Sequence, residues 1–163
     1  MNARNIVTLT LVAIAVFALT ACAGGPSMSK SPTPNTHVTR ADVEKRTGAV
    51  QGRIIDAFPE GAVSETSTGG WALLDCSENE IQSSISATLT LARTVPIDAT
   101  YDAITHELEA DGYRGEQSTA SRGTKLVITG AANDQYFITI QNDKKRVLIS
   151  SFSQCFRGSL ADQ

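Results

Sequence analysis

The chain is short of the residues from which most active centres are assembled. It has two histidines, three cysteines and one tryptophan in 163 residues, with 6% aromatics. His37 and His106 stand far apart, and "HELEADG" only begins like the zinc motif H-E-x-x-H. Ala110 occupies the position where the second histidine ligand is needed. No G-x-S-x-G turn is present to hold a serine nucleophile, and no G-x-x-x-x-G-K-[ST] loop to cradle phosphate. There is no basic excess: 14 basic and 17 acidic side chains give a net charge of −3, which argues against nucleic acid as a partner. Nor is there an apolar run long enough to cross a bilayer. Ile6 to Leu19 reaches about 21 Å as a helix at ~1.5 Å per residue, against a hydrocarbon core of ~30 Å.

That short run has a different use. A basic start (Arg4), an apolar stretch and then small residues are the three parts of a secretory signal. Leu19-Thr20-Ala21-Cys22 resembles the bacterial lipobox, which implies cleavage between Ala21 and Cys22 and a diacylglyceryl thioether on Cys22. A thiol suits S-alkylation because sulfur is the strongest nucleophile among the side chains. Two acyl chains give a stable anchor where one binds only marginally. The expected partner is therefore the lipid bilayer, on the extracytoplasmic face of the cell membrane. Three segments follow: residues 1–21 as a cleaved signal, 22–36 as lipidated cysteine and Gly/Ser/Pro tether, and 37–163 as one domain. His37 falls in or beside the tether. Loss of Arg4 makes the mature chain one unit more negative.

Three cysteines are an awkward number for an exported protein, and assigning Cys22 to lipid leaves Cys76 and Cys155. In an oxidising compartment that pair is expected as a disulfide. The bridge would close a loop of roughly 80 residues, for which chain entropy sets a ceiling of about 4.5 kcal/mol. The alternative, a metal site or catalytic thiol, lacks a neighbouring histidine and C-x-x-C spacing.

The domain reads as α+β. Thr39 caps a helix carrying Val43, Thr47, Val50, Ile54 and Phe58 on one stripe, and Pro59 stops it. "WALLDC" is a short strand after Gly69-Gly70. "ISATLTLAR" alternates, with Ile85, Ala87, Leu89 and Leu91 on one side. A second helix is expected with Asp98 as cap, Ile97 as staple, Tyr101, Ile104 and Leu108 inward, and Gly112 as stop. "KLVIT", "YFITI" and "RVLISSFSQCF" follow as strands, the last placing Val147, Ile149, Ser151, Ser153 and Cys155 on one parity. The expected order is α-β-β-α-β-β-β: a mainly antiparallel five-stranded sheet with both helices packed on one face.

These features together resemble the Lppa-like lipoproteins, small cell-envelope proteins of actinobacteria. The resemblance rests on the lipobox and tether, a helix ending at "FP", the spacing of Trp71 and Cys76, and the closing "VLISSFSQCFRG". It implies a surface lipoprotein with two helices on an antiparallel sheet, and it carries no activity onto any residue here.

Other candidates have plainer readings. His106, Glu107 and Glu109 fit the solvated face of a helix. Asp75, Glu78 and Glu80 in "DCSENE" suit a polar loop better than an acid/base pair or a calcium site. Lys144, Lys145 and Arg146, with Arg157 and Arg122, form a basic cluster suited to anionic headgroups or an acidic wall polymer. Trp71, Phe137, Phe152 and Phe156 are expected in the core. No catalytic residue, metal site or cofactor is expected, and the leading function is a non-catalytic binding or accessory module for an envelope protein or wall component. A carrier of an apolar or acyl ligand between helices and sheet is the first alternative, and it needs an apolar cavity of several hundred Å³. A wall-acting hydrolase using Glu78, Glu80 or Asp75 is the second.

Overall fold

The computed structural model describes residues 38–120 and 123–162. Ala21, Cys22, the tether, His37 and Arg122 lie outside the described residues. Helix α1 (Arg40–Asp56) begins where the sequence places it, with Thr39 extended as N-cap. The Asp42 amide donates to Thr39 Oγ1 at 3.2 Å, and the Thr39 amide donates to Asp42 Oδ2 at 3.2 Å, so each satisfies an orphan group of the other. The Thr39 hydroxyl, and then its amide, hold the Asp42 carboxyl below its usual range. Val43, Thr47, Val50 and Ile54 form the buried stripe, with Phe58 buried just before Pro59.

Helix α2 (Ile97–Glu109) starts earlier than expected. Pro96, not Asp98, is the N-cap, and Asp98 sits inside the first turn. Proline's fixed φ launches the helix, while an acid in the first turn favours the helix dipole without capping. The Thr100 hydroxyl bonds back to the Pro96 carbonyl at 2.7 Å. The stop is at Gly112, whose φ of +82° suits glycine. The amides of Gly112 and Tyr113 return to the carbonyls of Glu109 and Leu108, at 2.9 and 3.4 Å.

The sheet is antiparallel, as expected, but has eight strands and not five. They are β1 (Val63–Thr68), β2 (Ala72–Ser77), β3 (Glu80–Leu91), β4 (Arg114–Ala120), β5 (Gly123–Thr129), β6 (Gln135–Gln141), β7 (Arg146–Phe152) and β8 (Phe156–Arg157). The order across the sheet is β1-β3-β7-β6-β5-β4, with β2 and β8 also paired to β3. The missed strands β1 ("VSETST") and β4 ("RGEQSTA") are the two ends of this ladder. An edge strand has little to bury, so its sequence carries no apolar alternation, and its charges and hydroxyls blunt edge-to-edge pairing. The expected strand 146–156 divides at Phe152 because Ser153 turns to β3. Its amide donates to the Ser83 carbonyl at 2.8 Å and its hydroxyl accepts from the Ser83 amide at 2.9 Å. Cys155 therefore lies between β7 and β8, exposed, and not within a strand.

Alternation decides the core. Tyr136, Ile138 and Ile140 of β6 are buried, and the ladder aligns Ile138 with Ile149 of β7 and Leu126 of β5. These residues join Ala87 and Leu89 of β3, Val50, Ile54 and Phe58, and Tyr101, Ile104 and Leu108 of α2 in one cluster. Each such side chain gains about 1.5–3 kcal/mol on burial. A Cβ at Gly115 of β4 would collide with the Thr105 side chain, so glycine allows α2 to approach the strand closely. Val43, Leu73, Ile81 and Phe156 form a smaller second cluster. Polar residues of α1 meet serines of the sheet: Ser151 donates to Gln51 Oε1 at 2.7 Å, and Ser83 to Glu44 Oε1 at 3.0 Å. Among the described residues, every buried polar side-chain atom has a partner.

Candidate functional site

A groove of about 380 Å³ opens beside α1, lined by Arg46, Ala49, Val50, Arg53, Asp111, Tyr113, Ala131, Ala132 and Asp134. Its acidic floor comes from the turn before β6. Asn133 takes the left-handed conformation at φ 63°, which asparagine tolerates, and the Gly130 amide donates to the Asp134 carbonyl at 2.9 Å. Asp134 is thereby turned inward and is only 4% exposed. Glycine is required at 130, since a Cβ there would strike both Asp134 and the Tyr113 ring. Tyr136 donates its hydroxyl to Asp134 Oδ2 at 3.0 Å. The Tyr113 ring meets that of Tyr136 edge-on, with centroids 6.0 Å apart. Burial, followed by the charge of Asp134, pushes the Tyr113 phenol up to about 12. The same two causes raise Tyr136 further. Both phenols therefore stay protonated at neutral pH and serve as donors.

The two arginines of this groove differ. Arg53 is committed to α2 and the turn after it, donating to Glu107 Oε1 at 3.1 Å and to Asp111. Asp111 first, and then Glu107, raise its already high pKa. Arg46 donates to Gln154 Oε1 at 3.0 Å and forms no ion pair among the described residues. The groove thus presents a guanidinium that forms no ion pair among the described residues, together with a carboxylate that two phenols accompany. That arrangement suits recognition of a polar group.

The other sequence-derived candidates scatter. Cys76 and Cys155 stand together, their Sγ atoms 2.05 Å apart, at disulfide distance. His106 has a side chain 90% exposed and approaches Glu109 at 4.0 Å, while Glu107 holds Arg53. Among the described residues, no group of three or more His, Cys, Asp or Glu is placed to hold a metal ion. Asp75 and Glu78 are exposed around the β2–β3 turn, and Glu80 accepts a bond from the Ser77 hydroxyl at 3.0 Å. Lys144, Lys145 and Arg157 are exposed, and Arg146 donates to Gln141 Oε1 at 2.8 Å. The expectation that the large aromatics lie in the core holds for Phe156 alone. Trp71 is half-buried, and Phe137 and Phe152 project from strand positions opposite in parity to the core. Between α2 and the sheet, Tyr101, Ile104, Leu108, Leu126 and Ile138 are at most 1% exposed and fill the space an apolar ligand would need.

The sequence carries one signal for this groove. Asp134 shares its parity with Tyr136, Ile138 and Ile140, which puts an acid on the apolar side of a strand. Comparison with protein-family models, with curated proteins and with solved structures returned no match.

Proposed function

We propose that the chain is a lipoprotein of the bacterial cell envelope, anchored in the cell membrane through acylated Cys22. Its α+β domain, held on the extracytoplasmic face by a short tether, acts as a non-catalytic binding or accessory module for an envelope protein or wall component. The reading includes membership of the Lppa-like kind and a layered domain with both helices on one face of the sheet. For the layering, support comes from the Ser151–Gln51 and Ser83–Glu44 bonds and the Thr105–Gly115 approach, which all fall on the same strand parity.

The observation that carries the reading joins the two ends of the argument. Once Cys22 is assigned to lipid, the two remaining cysteines are the pair that stands at disulfide distance. A lipidated cysteine and a disulfide both follow from export to an oxidising compartment. The test is fractionation of cells producing the full chain or its Cys22→Ser variant. The reading expects the wild-type chain with the membranes and Cys22→Ser released from them. A variant that stays with the membranes, or a wild-type chain retained in the cytosol, would contradict it.

A further inference from the structure

The face of the sheet carrying Phe137 and Phe152 differs in chemistry from the rest of the chain. On the β3–β7–β6–β5 ladder, the residues on this parity are half-exposed or exposed, and serine and threonine predominate. Phe137 and Phe152 sit among them edge-to-face, with centroids 5.6 Å apart. Lys125 Nζ lies 5.0 Å from the centre of the Phe137 ring. Lys125, Phe137 and Phe152 therefore form a line across three neighbouring strands, about 10 Å from β5 to β7 at ~4.8 Å per strand. Arg146 stands on the same parity, one rung beyond Leu148, its guanidinium held by Gln141. Around this line stand hydroxyls, including Ser150 and Thr139.

Charge gives the occupant its sign. The whole chain is acidic, at −3. Yet the described positions of this parity in the four-strand ladder hold Lys125 and Arg146 against one acid, Glu80, which stands at the start of β3 opposite Arg157 of β8. A local positive field on a negative molecule selects an anionic partner. Stacking surface, hydroxyls and cations together match a sugar chain. Phenyl rings meet the C–H faces of sugar rings, serine and threonine exchange hydrogen bonds with sugar hydroxyls, and the cations meet acidic substituents. A bilayer fits less well, because among the described residues of this face Leu74 of β2, opposite Gln82, is the one large apolar side chain that is exposed, while Phe137 and Phe152 are half-buried among their neighbours.

We infer that this sheet face, centred on Phe137, Phe152, Lys125 and Arg146, binds an acidic polysaccharide. The inference deepens the reading of the domain as an envelope binding module. Its test is independent of the anchor, since a chain lacking the acyl group keeps this face.

The experiment is affinity electrophoresis of the detergent-purified full chain in gels containing alginate (carboxylate groups), phosphomannan (phosphodiester groups) or neutral dextran. Pelleting with phosphatidylglycerol vesicles runs alongside, using the Cys22→Ser full chain. Retardation is expected in at least one acidic polymer, which identifies the acidic group, with at least tenfold weaker retardation in dextran. Lys125→Gln with Arg146→Gln should weaken acidic-polymer binding at least tenfold, and Phe137→Ser should do so separately. Both variants should keep the wild-type thermal midpoint within a few degrees. Lys45→Gln, on the exposed side of α1, should bind as the wild type does. No retardation in either acidic polymer overturns the inference. So does undiminished binding by the double variant, or vesicle binding that depends on Lys125 and Arg146 while both polymers fail.

Discussion

Ile138 and Phe137 are neighbours in sequence and opposites in circumstance. Ile138 is fully buried between its partners Ile149 and Leu126. Phe137, one residue earlier, faces away among serines and threonines with Lys125 over its ring. One side of the sheet is thus held by shape and burial, and the other is left to chemistry. Stability and recognition have been assigned to alternate residues of the same strands, so they should respond to mutation separately.

The largest expected effect breaks the buried side. Ile138→Ala should lower unfolding free energy by about 2–5 kcal/mol, through lost burial and the cavity left behind. Phe137→Ser should cost far less in the same denaturation experiment, and equal losses would abolish the distinction between the two faces. Next comes the Cys76–Cys155 pair, whose neighbours in sequence Leu73, Ile81 and Phe156 form, with Val43, the smaller buried cluster. Cys76→Ser should lose about 2–4 kcal/mol, as the bridge closes a long loop, and reduction of the wild-type chain should match it. Thr39→Ala should lose about 1 kcal/mol by removing the cap of α1, measurable as a small fall in the denaturation midpoint.

The smallest effect at neutral pH is also the most specific. All three tyrosines are raised above their ordinary value of 10 by burial, Tyr113 to about 12. The unfolded chain deprotonates first, so their contribution is complete below pH 10 and is lost as pH rises through the folded values. In a spectrophotometric titration of the folded chain, Tyr113 and Tyr136 should contribute no step near pH 10. A step there that Tyr113→Phe or Tyr136→Phe removes would place that phenol in water and dissolve the description of the groove.

Much of this was legible in the sequence, and the exceptions share a physical cause. Strong periodicity located α1, α2, β3 and β6, because burial on one side writes itself into the residue order. Edge strands β1 and β4 left no such trace, and their polar sequences read as loops. Phe137 and Phe152 were expected inside because aromatic residues usually are, although their parity within "YFITI" and "RVLISSF" already set them apart from Tyr136, Ile138 and Ile149. Asp134 stands in a turn, and the trace it leaves in the sequence is its position on the apolar parity of β6. The division of the last strand at Phe152 depended on Ser153 meeting Ser83, a contact between residues 70 apart that no local pattern contains.

The most direct test of the central claim is the intact mass of the full chain extracted in detergent from bacterial membranes. The account predicts a chain beginning at Cys22, heavier by a diacylglyceryl group on that residue and lighter by two hydrogens for the Cys76–Cys155 bridge. A chain retaining Met1 with an unmodified Cys22, or three cysteines all open to alkylation without reduction, would contradict it.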